Sequence, residues 1–201
     1  MLNVFAATGL AAALLAAPLA AQQAAPAPSS VVVDVVTVNG SGCPAGSASV
    51  TSVGATGFRI SFDGYVAWTG PSAAVTDFRK NCQFSLAIEV PEGWQYAVIQ
   101  GEQSGFAWLA AGVTAVQRTS YYFQGSSATT AASHTFTGPY AGSWRTTDIV
   151  DVASLNYSPC GGGVNLNINT EVRISGGPSA TSTNLIAFGE QLTPTVAWRA
   201  C

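Results

Sequence analysis

Two carboxylates, Glu89 and Glu171, stand on the polar sides of the most strongly alternating segments of this 201-residue chain. A pair of carboxyl groups flanking a sugar linkage is all that glycoside hydrolysis demands: one acid protonates the leaving oxygen, and the other activates water or attacks the ring. If the two segments are neighbours in one concave sheet, Glu89 and Glu171 face each other across a cleft. If not, each is a solvated surface acid, which is where most of ten acidic residues belong.

Other catalytic devices are poorly supplied. The single histidine, His134, sits in Ala131-Ala132-Ser133-His134-Thr135-Phe136, no Gly-x-Ser-x-Gly elbow occurs, and the residue reads as a solvated strand histidine. Gly161-Gly162-Gly163 follows Cys160 and opens no helix, so it is a turn and not a phosphate or dinucleotide cradle. No two cysteines have the short spacing of zinc ligands, so neither a metal nor a cofactor is expected. The four cysteines, Cys43, Cys82, Cys160 and Cys201, read instead as disulfides, and four allow three pairings. Cys43 with Cys82 and Cys160 with Cys201 close loops of about 40 residues within each half of the chain, each bridge worth about 4 kcal/mol by loop entropy.

Aromatic and amide side chains offer binding in place of catalysis. Trp68, Trp94, Trp108, Trp144 and Trp198 can stack on the apolar faces of sugar rings. Trp94 follows the Pro91-Glu92-Gly93 turn and Trp144 lies in the loop-like Gly142-Ser143-Trp144-Arg145, which makes them the surface candidates. Trp108 alternates in phase with Phe106 and reads as core. Asn165, Asn167 and Asn169 form a polar ladder whose amides can bond hydroxyls, although a solvated sheet face is the simpler explanation.

The elements that must position these groups are strands. Phe58, Ile60 and Phe62 alternate with polar residues, as do Phe84, Leu86, Ile88 and Val90, and the run from Val164 to Ile174 is one long strand. Turns at Asn39-Gly40, Asp63-Gly64, Gly70-Pro71, Gly138-Pro139 and Gly176-Gly177-Pro178 punctuate them, and helical periodicity is absent past the N-terminal segment. Many short half-buried strands predict an all-β, disulfide-stabilised antiparallel sandwich, jelly-roll-like, with a flattened barrel as the alternative.

Residues 1–21 are uncharged, rich in Ala and Leu and end in small residues, the pattern of a signal peptide; a retained anchor is the alternative. Residues 22–30 are an Ala/Pro/Gln/Ser lead-in, expected to be disordered, and 31–201 make a single domain. No segment of the mature chain is long and apolar enough to span a bilayer. Export and oxidised cysteines predict a secreted, extracellular protein. Only 8% of residues are charged, with a net charge of -3 and a pI near 4.9, so the clustered cations that nucleic acid requires are missing. Asn39-Gly40-Ser41 and Asn156-Tyr157-Ser158 are acceptors for N-glycosylation, the second weakened by Pro159.

Gly42-Cys43-Pro44, Lys80-Asn81-Cys82, Val90-Pro91-Glu92-Gly93-Trp94 and Pro159-Cys160-Gly161, in that order, resemble a secreted family of fungi and bacteria known only as a domain of unknown function. The resemblance spans nearly the whole mature chain and implies export, a β-rich fold and shared cysteines. It supplies no catalytic residues.

The expectation is therefore a secreted, non-catalytic sandwich acting by surface binding to cell-wall polysaccharide or to a host or competitor protein. A carbohydrate-active enzyme built on two carboxylates is the runner-up, and an extracellular coat or matrix protein, favoured by low charge and abundant Ser, Thr and Gly, is the third reading.

Overall fold

The computed structural model describes residues 26–176 and 182–201. The expected signal peptide at 1–21, the first part of the lead-in and most of the Gly176-Gly177-Pro178 turn lie outside the described residues. The described chain is two packed antiparallel sheets. Its strands are β1 (Val33–Asn39), β2 (Ala48–Val53), β3 (Gly57–Phe62), β4 (Val66–Thr69), β5 (Arg79–Ile88), β6 (Trp94–Leu109), β7 (Val113–Phe123), β8 (Thr129–Thr137), β9 (Tyr140–Ile149), β10 (Leu166–Gly176) and β11 (Asn184–Ala200). Among the described residues the one helical piece is a single 3-10 turn, Val152–Ser154. No helix among them is long and apolar enough to cross a membrane.

The first sheet has the order β1-β5-β10-β7-β8 and the second β2-β3-β11-β6-β9, with the short β4 also paired to β11. β11 serves two partners on one side because its pairing with β6 shifts between Phe188 and Leu192. Asn184–Ala187 pair with β4 and Gln191–Thr195 with β3.

Period two sets what lies between the sheets. Phe58, Ile60 and Phe62 of β3, Phe84, Leu86 and Ile88 of β5, and Leu166, Ile168, Val172 and Ile174 of β10 are all buried, so the alternation predicted these inner faces correctly. Aromatic rings fill the middle. Tyr65 stacks on Phe188 at 5.4 Å, and Phe62 meets both edge-on or tilted. The Tyr65 hydroxyl donates to the Lys80 carbonyl and accepts from Thr170 Oγ1, yet burial still pushes its pKa above the ordinary phenol range.

The sulfurs pair Cys43 with Cys82 and Cys160 with Cys201. The first bridge depends on Gly40, whose φ is +142° and whose added Cβ would lie 2.2 Å from the Asn81 carbonyl oxygen. Only glycine lets the loop close onto β5 there. The second bridge ties the end of β11 to the loop after Ser158, and the Cys201 amide donates to the Gly93 carbonyl.

Candidate functional site

The carboxylate pair does not assemble. β5 and β10 are neighbours and both acids are on the outer face, but Glu171 is in register with Asn81, while Glu89 lies eight positions further along β5 (89 minus 81). At the rise of an extended strand that separates them by about 27 Å, against the roughly 5 to 10 Å that a glycosidase needs. Glu171 is committed elsewhere: it accepts from Arg79 Nε at 2.7 Å and from the same guanidinium's Nη2, with Arg173 also alongside. Glu89 is exposed beyond the end of β5.

His134 is not a solvated strand residue. It points between the sheets from β8, and its Nε2 lies 2.6 Å from Asp148 of β9, in the opposite sheet. Asp148 also accepts from Gln103, and the Gln103 side-chain oxygen accepts from Gln117 Nε2 at 3.0 Å and Thr119 Oγ1 at 2.7 Å. Among the described residues no hydrogen bond joins a serine or threonine hydroxyl to His134. Its geometry is that of a polar strut across the core. The carboxylate also acts on Tyr121, whose pKa is raised first by burial and second by Asp148.

The outer face of the first sheet carries the asparagine ladder. Asn167 and Asn169 of β10 project outward, flanked by Ser85 and Gln83 of β5 and by Tyr122 and Ser120 of β7. Asn165 lies just before β10, and its Nδ2 donates to Ser85 Oγ at 3.0 Å. Gln83 Nε2 donates to the Tyr122 hydroxyl at 3.3 Å. With the Arg79–Glu171 pair, this face is polar, largely self-bonded and shallow, and its depression is lined by Arg79, Gln83, Arg118, Asn169 and Glu171 among others.

The second sheet differs. Trp144 is not on a loop: it belongs to β9, is 4% exposed and packs among Phe136 and Phe188 inside the sandwich. The indole lies against Gly105, where an added Cβ would meet its ring at 2.3 Å. That packing explains the neighbours. With the space beneath β6 occupied, the inward positions there are Gly105 and Ala107, and the bulky Phe106 and Trp108 are turned outward. Phe106 is 41% exposed and Trp108 55%, which corrects their assignment to the core.

They have company. Register places Leu185 of β11 beside Trp108, and Trp68 of β4 beside Leu185. Ala67, Ile186 and Ala107 are fully buried, so Trp68, Leu185 and Trp108 share the opposite, outer side in one row across three strands. The next row is Val66, Ala187, Phe106 and Ser143. Further along the same face stand Ser104, Arg145, Glu102, Thr193 and Thr147, with Gln100 donating to Glu102 at 2.9 Å. An aromatic half thus adjoins a polar half.

Trp94 is at the far end of β6, fourteen residues from Trp108 (108 minus 94), beside the Cys160–Cys201 bridge and half-buried. From alternation alone Trp68 is not singled out among the five tryptophans and Trp108 is placed inside. The signal was present as two short alternations, Val66/Trp68 and Phe106/Trp108, separated by alanines at 67 and 107. Small residues between large ones mark an outward aromatic face only when another side chain, here Trp144, already fills the interior. Of the two glycosylation acceptors, Asn39 is exposed. Asn156 is half-buried and donates to Thr130 Oγ1, and Ser158, the third residue of its acceptor motif, is 3% exposed.

A domain of unknown function, DUF4360, matches residues 29–201. The chain belongs to that family. An uncharacterized secreted protein of Arthroderma benhamiae is 38% identical over 152 residues, which is 75% of this chain and 62% of the relative's own length. The chain therefore spans less than two thirds of that relative's length. A solved structure of TmCBM61 in complex with β-1,4-galactotriose aligns over 85% of this chain and 88% of its own at 10% identity, with a TM-score of 0.24, too loose a superposition to bear on function. With two disulfides and a secreted relative, this DUF4360 protein is a secreted β-sandwich.

Proposed function

We propose that this secreted protein binds polysaccharide outside the cell through the outer face of its six-stranded sheet, without cleaving it. The observation that carries the reading is the outward row Trp68–Leu185–Trp108, with Phe106 beside it. Large exposed aromatics grouped on one flat face mark an interaction site, whereas single ones do not. A pyranose ring has an apolar face of C–H groups and a polar rim of hydroxyls. Indole rings match the face, and Ser143, Arg145, Glu102 and Gln100 supply donors and acceptors for the rim within the same sheet surface. The separation of Glu89 from Glu171 supports binding over a two-carboxylate hydrolysis.

The test is retention of the purified secreted protein on a panel of insoluble polysaccharides, with released sugar measured in the same tubes. Retention that Trp108→Ala abolishes without altering the circular dichroism spectrum is the expected outcome, with no sugar released. Retention indifferent to Trp108→Ala, or release of sugar, overturns the proposal.

A further inference from the structure

The aromatic row has a direction and a spacing, and both constrain what can lie on it. Trp68 and Trp108 are carried by strands on either side of β11, two strand spacings apart, or about 10 Å. Leu185 stands between them. The strands are hydrogen bonded, so the two indoles are held on one surface and cannot adjust to a strongly curved ligand. A chain that contacts both must present two apolar faces on the same side, at that interval, with a shallow contact between.

Linkage geometry decides which glycans do this. When both bonds to the ring are equatorial and joined 1,4 in the β configuration, the chain is a flat extended ribbon in which each sugar is turned over relative to the last. Alternate sugars then show the same face, and two sugar lengths match the separation of the indoles. α-1,4 and β-1,3 linkages coil the chain, and an axial O4 bends it, so that alternate rings leave the plane.

The size and charge of the patch point the same way. Exposures of 55% and 41% for Trp108 and Phe106 leave about 200 Å² of free ring surface between them, enough to cover the faces of a few sugar rings. Among the described residues the two aromatic rows carry no charged side chain, and Arg145 and Glu102 beyond them have opposite signs. A narrow, neutral ligand fits; an anionic polymer finds no cationic track.

Resting on the polysaccharide-binding reading above, we infer that the ligand class is a neutral, all-equatorial β-1,4-linked glycan, of the cellulose or chitin type. It crosses the strands with one sugar on Trp68, the next over Leu185 and the third on Trp108. The minimal ligand is a trisaccharide.

Isothermal titration of the full-length secreted protein with cello- and chito-oligosaccharides of two, three and four units tests this, with β-1,3-gluco- and α-1,4-gluco-oligosaccharides as controls. The expected result is an affinity step of at least about tenfold between disaccharide and trisaccharide in one β-1,4 series, little further gain at four, and loss of that step in Trp68→Ala. Trp68→Phe, which keeps an apolar ring and the strand, retains part of the step and guards against a folding defect. Preference for the coiled linkages, with Trp108 still required, overturns the ligand class and leaves polysaccharide binding standing. A β-1,4 preference with no step at the third unit, or a step unchanged in Trp68→Ala, overturns the crossing geometry. Binding to no member of either class overturns both readings.

Discussion

The two outer faces of this sandwich were built by the same alternation and ended in opposite states. On the five-stranded sheet many of the outward residues are amides, hydroxyls and charges that bond one another, Asn165 to Ser85, Gln83 to Tyr122 and Arg79 to Glu171, while the Asn169 side-chain oxygen is left without a partner among the described residues. On the six-stranded sheet the outward residues near the β4–β11–β6 junction are the half-buried Trp68 and Leu185 and the exposed Trp108 and Phe106, with no strand layer packed over them among the described residues. A self-bonded face gains little when a ligand arrives, because each new hydrogen bond replaces one already made. An uncovered aromatic face gains by desolvation. Function on a rigid β scaffold therefore follows from which outer face is left unsatisfied, not from which is richer in polar groups.

That contrast can be broken in several places. The largest effect belongs to Trp144, which fills the space that forces Phe106 and Trp108 outward: Trp144→Ala should lower unfolding stability by about 3 to 5 kcal/mol, measured by urea titration, and should weaken glycan retention as a consequence of the collapsed support. A variant as stable as the parent would show that the indole does not hold the aromatic face in place. Next comes the strut between the sheets. His134→Ala leaves Asp148 with one fewer partner in a half-buried setting and should cost about 1 to 3 kcal/mol, with no change in ligand affinity in the folded protein. A loss of affinity at unchanged stability would assign His134 to the site instead.

Trp108→Ala sharpens the comparison most. Its side chain is mostly free, so stability should change by no more than about 0.5 kcal/mol, while polysaccharide affinity should fall by about tenfold or more, as expected for a central aromatic anchor. The smallest effect is expected on the opposite face: Asn167→Ala with Asn169→Ala should leave retention unchanged within error, and a drop would transfer the binding role to the asparagine ladder.

Much of this fold was legible before any coordinates. The inner faces of β3, β5 and β10 follow from strict alternation because each pairs large apolar residues with polar ones, leaving a single way to bury them. The disulfides follow from loop length, since local bridges within each half leave the sheets free to pack. The site was less legible. Alternation says that Phe106 and Trp108 share a side but not which side, and the choice is made by Trp144, a residue on another strand whose Gly-Ser-Trp-Arg context disguises β9 as a loop. Likewise, alternation puts Glu89 and Glu171 each on the polar side of its own segment, and only the sheet order and the register of β5 on β10 reveal that they share an outer face yet are far apart. Parity is local information. Register and occupancy of the core are not.

A glycan lying across Trp68 and Trp108 touches two of the five indoles and leaves the other three alone. The five tryptophans give five indole N–H signals in a nitrogen-15 NMR spectrum, and titration with a β-1,4-linked trisaccharide reads all of them at once. Shifts concentrated on the Trp68 and Trp108 indoles, with Trp94, Trp144 and Trp198 and the side-chain amides of Asn165, Asn167 and Asn169 unmoved, are the predicted result. Shifts confined to Trp94 or to the asparagine amides would contradict it.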